Sequence, residues 1–375
     1  MTAIGDADTM KFRGCHQGSE MNDQPVDHQP VLTSVRDVHK FNEDRLASYL
    51  NGRLEGFSGD MSLRQYVGGS SNPTFLIQSG HQEWVMRKRP PGNLLPSAHQ
   101  VEREYRAMNA LRDSDVPVPK MLLFCDDESV IGQSFYIMSK IEGRITTSEM
   151  VGFEPKERRA IYEDFVRVLA NLHQVDHIAV GLEKHGRPGN YFARQVDRWT
   201  KQYRGAQTDD VPEMEKLIEW MPKHIPDDDT TGVIHGDYRV GNVLIHPTEP
   251  RIVAVLDWEL STLGHPLGDL GYHGAYAYHN ERIPYTDELT ERGIPIEAEW
   301  QSIYCEMTGR DSIPNWHFYV AYNLFRLTGI VQGVYKRTLD GNASTDFDME
   351  GQRANVRFRA QRAWALVQEM DSQSS

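Results

Sequence analysis

Between Asp37 and Leu54 the apolar side chains Val38, Phe41, Leu46, Tyr49 and Leu50 recur at near-helical spacing, which predicts a short amphipathic helix. The period then changes. Short runs rich in β-formers follow at Leu63–Val67, Thr74–Gln78 and Glu83–Lys88, separated by Gly68-Gly69-Ser70-Ser71-Asn72 and Ser79-Gly80-His81, and they read as an antiparallel meander. After the Pro90-Pro91-Gly92 break a helical pattern runs from Ala98 to Leu111, and two more strands are expected at Lys120–Cys125 and Ser134–Met138. Beyond Ile141-Glu142-Gly143 the pattern is mostly helical, with long periodic segments near 154–174, 190–204, 212–222, 296–308, 315–337 and 351–369. One stretch, 232–257, breaks it with the apolar runs Gly232–Ile234, Val243–Ile245 and Ile252–Leu256, whose connecting turns are polar and are where chemistry is expected.

These patterns predict an α+β chain of two lobes: a small antiparallel-sheet N-lobe with one helix and a larger, mainly helical C-lobe. The expected organisation is a flexible extension over 1–31, an N-lobe over 32–141 and a C-lobe over 142–375. The extension is polar, Gly/Asp/Gln-rich and without apolar period. A length of 375 residues agrees with about two compact units.

Composition narrows the class. With 39% hydrophobic and 25% charged residues the chain can bury a sizeable core, and no apolar run approaches the roughly 20 residues that cross a bilayer. The first thirty residues lack a basic stretch followed by an apolar block, so a cytoplasmic location is expected. Cys15, Cys125 and Cys305 are too few and too scattered for a disulfide framework or a zinc site. A net charge of −14, with −3 in residues 1–141 and −11 in the remainder, argues against a nucleic-acid partner, which needs concentrated positive charge.

The polar turns of 232–257 carry the chemistry. Val233-Ile234-His235-Gly236-Asp237-Tyr238-Arg239-Val240-Gly241-Asn242-Val243 is followed, fifteen residues after Asn242, by Asp257 in Leu256-Asp257-Trp258-Glu259. Phosphoryl transfer needs one carboxylate to orient an attacking hydroxyl and accept its proton, and an amide oxygen with a second carboxylate to hold magnesium against the phosphates. Asp237 fits the first role; Asn242 and Asp257 fit the second.

The segment HGDYRVGN with its downstream LDWE resembles the catalytic loop and metal motif of the aminoglycoside phosphotransferase and choline kinase superfamily, which has the protein-kinase-like bilobal fold. Gly236, where protein kinases carry Arg, separates the small-molecule kinases from them. The resemblance implies an enzyme that uses ATP and Mg2+ to phosphorylate a hydroxyl group on a small molecule. It implies that Arg239 stabilises charge on the transferred group and that His235 braces the loop. It also implies that the turn Gly68, Gly69, Ser70, Ser71, Asn72 covers the nucleotide phosphates, that Arg87, favoured over Lys88, supplies their cation, and that Glu104, ahead of Glu102, is its counter-ion. Period two puts Val85 and Arg87 on one face of their strand and Met86 and Lys88 on the other. Ser134–Gly143 resembles the last strand and hinge of the superfamily, so backbone groups of Ser139 and Ile141 would meet the adenine edge.

Further stretches resemble one branch, the kinase domain fused to certain acyl-CoA dehydrogenases and its free-standing bacterial relatives: Arg87–His99, Gln195–Tyr203 and Leu256–Asp269. The loop departs from that branch at Val240-Gly241, where Leu-Asp is common. The branch implies a hydroxyacyl-CoA or related hydroxy acid as acceptor; the superfamily's name points instead to aminoglycosides, which the acidic C-lobe suits. Arg194, Arg198 and Lys201 fall at i, i+4 and i+7 of an expected helix, either a basic stripe able to meet an anionic group or a solvated face. Two other classes stay open. A pseudokinase would bind without turnover, although Asp237, Asn242 and Asp257 are all present; a protein kinase would show an Ala-Pro-Glu-like element, where this chain has Ser261–Pro266 leading into a helix.

Overall fold

Alternation along Gln82–Lys88 decides how the first sheet is used: Trp84 and Met86 are buried in one hydrophobic cluster with Phe75, Ile77, Phe135 and Ile137 from neighbouring strands, while Arg87 faces the other way. The computed structural model describes residues 29–67, 72–91, 101–146, 150, 152–277, 290–341 and 348–373. They fall into two compact units, one running to Gly152 and taking in Val240–Ser261, the other made of Phe153–Arg239 and the chain from Thr262 onward.

In the first unit six strands, β1 (Leu32–Thr33), β2 (Ser62–Tyr66), β3 (Thr74–Ser79), β4 (Gln82–Lys88), β5 (Met121–Cys125) and β6 (Phe135–Ser139), form an antiparallel sheet in the order β1-β2-β3-β4-β6-β5. Helix α1 (Glu43–Leu50) lays Leu46 and Leu50, both fully buried, against the apolar face. It starts where the Asn42 side chain accepts the Arg45 N–H at 2.9 Å, which trims the helix expected over 37–54. Helix α2 (Val101–Leu111) follows, and α3 (Glu128–Ile131) is a single turn capped by Asp127. The sheet-and-helix expectation therefore holds, with α1 and α2 at the two helical segments foreseen and only the single turn α3 added. Truncating Leu46 or Phe75 to Ala would cost roughly 2–5 kcal/mol.

Strands β7 (Gly232–Ile234), β8 (Val243–Ile245), β9 (Ile252–Val255) and β10 (Thr262–Gly264) make two ladders, β8 with β9 and β7 with β10. The β8–β9 hairpin packs within the first unit, although the sequence assigned it to the second part. Arg144 and Ile245 exchange backbone hydrogen bonds of 2.7 and 2.9 Å, and the Val255 N–H reaches Pro117 O at 2.9 Å, so its backbone is satisfied there.

The second unit is built from α4 (Pro155–His173), α5 (Tyr191–Ala206), α6 (Pro212–Trp220), α7 (Pro266–Ala277), α8 (Glu297–Thr308), α9 (Trp316–Leu339) and α10 (Met349–Gln373). Helix α9 packs on α5, α7 and α10 and is buried continuously from Phe318 to Gly329. Helix α7 was absent from the periodic segments for a physical reason: Leu267 to Ala275 are all buried, so no polar face marks the period. Gly271 lets it approach α9, since a Cβ there would lie 2.7 Å from Tyr319 O. Among the described residues no helix is long and apolar enough to cross a membrane.

Candidate active-site residues

The first unit gathers one chain of charged and polar groups. Arg87 Nε lies 3.0 Å from Glu104 Oε2, and its terminal nitrogen donates to Asp257 Oδ1 at 2.6 Å. Glu104 is fully buried on α2 and accepts two more hydrogen bonds, from Asn72 Nδ2 at 2.6 Å and Tyr136 Oη at 3.0 Å. Burial works against the Arg87 cation, but the Glu104 and Asp257 carboxylates outweigh it and hold its pKa well above the ordinary value. Asn72 thus turns its side chain onto Glu104; Gly68, Gly69, Ser70 and Ser71 lie outside the described residues.

Lys88 takes the opposite face, as the strand period requires. It is 1% exposed, 3.2 Å from Gln133 Oε1 and 5.7 Å from the Phe41 ring centroid, and burial lowers its pKa to about 8. Beyond β4, the Ser139 N–H donates to Lys120 O at 2.9 Å, so that amide is committed to the sheet, and Ile141 stands half-buried past the end of β6.

The β8–β9 ladder carries the two expected metal ligands to one end. Asn242 immediately precedes β8, Asp257 is the second residue after β9, and the Leu256 N–H donates to Asn242 O at 2.8 Å. Asp257 holds a left-handed backbone, φ 64°, strain of a kind that collects at functional positions. An amide and a carboxylate oxygen suit Mg2+, which takes few protein ligands and keeps water and phosphate for the rest. Among the described residues no group of three His, Cys, Asp or Glu side chains could hold a metal by itself.

In the second unit Asp237 is 7% exposed, with Oδ1 accepting from Tyr272 Oη at 2.5 Å and Oδ2 from Arg239 Nε at 3.3 Å. The loop beneath it is clamped. Asp269, on α7, accepts the N–H groups of His235 (2.5 Å) and Gly236 (2.8 Å), while buried Arg326 on α9 donates to Gly236 O at 2.6 Å. Gly236 has φ 84°, a conformation that favours glycine and explains the Gly where protein kinases have Arg. Burial alone would raise the Asp269 carboxyl, but the His173 ring and the His235 N–H hold it below the usual value. His235 is fully buried and its Nδ1 accepts the Asp237 N–H at 3.2 Å, so it braces the loop. Tyr238, also buried, ties the loop to α4 through Phe165 O at 2.8 Å.

On α5 the three basic residues differ. Lys201 pairs with Asp197 at 2.7 Å and Arg194 donates to Arg187 O at 2.6 Å, which leaves the exposed Arg198 beside Trp199. Asp269, Tyr272 and Arg326 were given no role by the sequence. The signal available was the i, i+3 spacing of Asp269 and Tyr272 just after the LDWE motif.

An antiparallel sheet carrying an Arg–Glu pair, followed by a helical unit with a clamped Asp loop, defines a kinase-like α+β fold. Residues 62–303 match the model of the phosphotransferase enzyme family APH, and the chain belongs to that family. It is 45% identical over 325 residues to human acyl-CoA dehydrogenase family member 11, covering 84% of this chain and 42% of that protein, so it spans less than half the length of that relative. A crystal structure of a candidate aminoglycoside phosphotransferase from Ralstonia eutropha is 43% identical, covering 88% of this chain and 99% of that one with a TM-score of 0.80. The aminoglycoside phosphotransferase APH(4)-Ia, in a ternary complex with AMP-PNP and hygromycin B, shares the fold at 15% identity, covering 86% of this chain and 97% of that one with a TM-score of 0.55. The chain therefore belongs to a family of phosphotransferase enzymes and has a kinase-like fold.

Proposed function

We propose that this phosphotransferase moves the γ-phosphate of ATP to the hydroxyl of a hydroxyacyl-CoA or related hydroxy acid. The observation that carries the substrate class is the 45% identity to a protein named for acyl-CoA chemistry, against 15% to the hygromycin enzyme.

In this reading Arg87 meets the α- and β-phosphates and Glu104 keeps it aligned, with the Ile141 backbone at the adenine edge. Asn242 and Asp257 would hold Mg2+, which when bound supplies charge neutralisation at the phosphate oxygens. Asp237 orients the acceptor hydroxyl and takes its proton; Arg239, 3.3 Å from it, offsets charge on the transferred group. A second reading, an aminoglycoside O-phosphotransferase, is favoured by the net −11 beyond residue 141 and by the description of the Ralstonia relative. Labelled ATP and magnesium, offered with hydroxyacyl-CoAs, aminoglycosides, choline and sugars in parallel, separate the two. Phosphate transfer to an aminoglycoside and to no acyl-CoA overturns the first reading.

A further inference from the structure

Asp237 holds neither of its carboxylate oxygens alone: Tyr272 Oη donates to Oδ1 at 2.5 Å and Arg239 Nε to Oδ2 at 3.3 Å. The two donors differ in kind. Arg239 lies on the same loop and is 17% exposed, whereas Tyr272 is 4% exposed and belongs to α7. Three residues earlier on that helix Asp269 grips the N–H groups of His235 and Gly236, so one face of α7 fixes both the loop backbone and the Asp237 carboxylate. The Tyr272 ring is itself held, with the Arg326 guanidinium 5.1 Å from its centroid and the same guanidinium bonded to Gly236 O.

The geometry points to Tyr272 as a positioning residue for Asp237: its hydroxyl pins Oδ1 so that Oδ2 is presented to the acceptor hydroxyl. This rests on the reading of Asp237 as the base. A phenol stays protonated across the working range of a carboxylate, so it is a permanent donor and does not compete for the proton that Asp237 accepts. With the hydroxyl gone, the carboxylate loses its 2.5 Å donor and is held less firmly about its last torsion, so the fraction of molecules aimed at the acceptor falls. Tyr272 touches neither acceptor nor nucleotide in this account and acts through Asp237.

The test is a double-variant cycle of Tyr272→Phe and Asp237→Asn, read as labelled phosphate transfer from ATP, with water as acceptor if no alcohol in the substrate screen turns over. Tyr272→Phe should lower kcat roughly ten- to a hundredfold, leave the ATP KM within about twofold and melt as wild type does. The double variant should be no slower than Asp237→Asn alone, since both changes strike one function. Independent, multiplying losses, or an unchanged kcat in Tyr272→Phe, overturn the proposal. An Asp237→Asn enzyme that keeps its activity sinks the base assignment instead, so the two failures are distinct. If Tyr272→Phe does not fold, difluorotyrosine placed at 272 keeps the shape and makes the phenol more acidic. A new basic limb in its kcat profile, absent from wild type, is expected as the donor ionises, and a profile unchanged from wild type overturns the proposal.

Discussion

Arg87 and Arg326 are both buried guanidiniums, one in each compact unit, and they are held by opposite means. Arg87 sits against two carboxylates, Glu104 at 3.0 Å and Asp257 at 2.6 Å. Arg326 lies over the faces of Tyr272 and Trp199, 5.1 and 5.6 Å from their centroids, and donates to the Gly236 carbonyl. Carboxylates can be exchanged for phosphates, since an arginine fork fits either anion. Aromatic faces and a main-chain carbonyl are not replaced by a ligand. The first unit therefore carries a cation whose partners can change on binding, and the second a cation built into the frame of the Asp237 loop.

The largest expected effect breaks the exchangeable side. Asp257→Ala should lose roughly 10³-fold or more of turnover while the fold persists, because several kcal/mol of charge stabilisation go with the metal ligand. Calorimetry of MgATP binding checks it, and unchanged affinity with unchanged turnover would remove Asp257 from the metal. Next comes the framed side: Asp237→Asn should keep the loop and the ATP KM but reduce kcat by about 10²-fold, the low end for a general base because proton removal comes late in a dissociative transfer. Retention of more than about a tenth of kcat would be too small a loss for a base.

Arg87→Ala sharpens the contrast further. It should raise the ATP KM more than Lys88→Ala, by roughly tenfold, and should also cost about 3 kcal/mol of stability, since Glu104 is fully buried and would lose its counter-ion. Nucleotide titration and chemical denaturation of both variants read the two effects; the reverse KM order would mean that Lys88, not Arg87, serves the phosphates. The smallest effect is one of pH. Burial lowers the pKa of His273, on α7, to about 3 from 6.5, so the folded state resists its protonation. That contribution is intact above pH 6.5 and is lost as pH falls toward 3, amounting to about 2 kcal/mol by pH 5. His273→Phe should lessen the drop in melting temperature between pH 7 and pH 5; an identical drop would place the acid sensitivity elsewhere.

That Asp237 follows β7, Asn242 precedes β8 and Asp257 follows β9 could be read directly, because local spacing is a property of sequence. That Arg87 and Lys88 face opposite ways was nearly as accessible. Period two separates their faces, and the structure puts Arg87 on the acids and Lys88 against Phe41. Three things lay beyond that reach. The β8–β9 hairpin joins the first unit through bonds from Ile245 to Arg144 and from Val255 to Pro117, partners far away along the chain. A helix was expected after Pro266, but its length was not legible, because α7 is buried on every side and shows no solvent-facing period. Tyr272 and Arg326 stand 35 and 90 residues from the groups they bond, with nothing in a linear pattern to connect them. Strand alternation, loop spacing and charge balance are set by neighbours along the chain and belong to the sequence alone; which donor holds each oxygen of Asp237 is set by how α7 and α9 pack, and that only the tertiary structure decides.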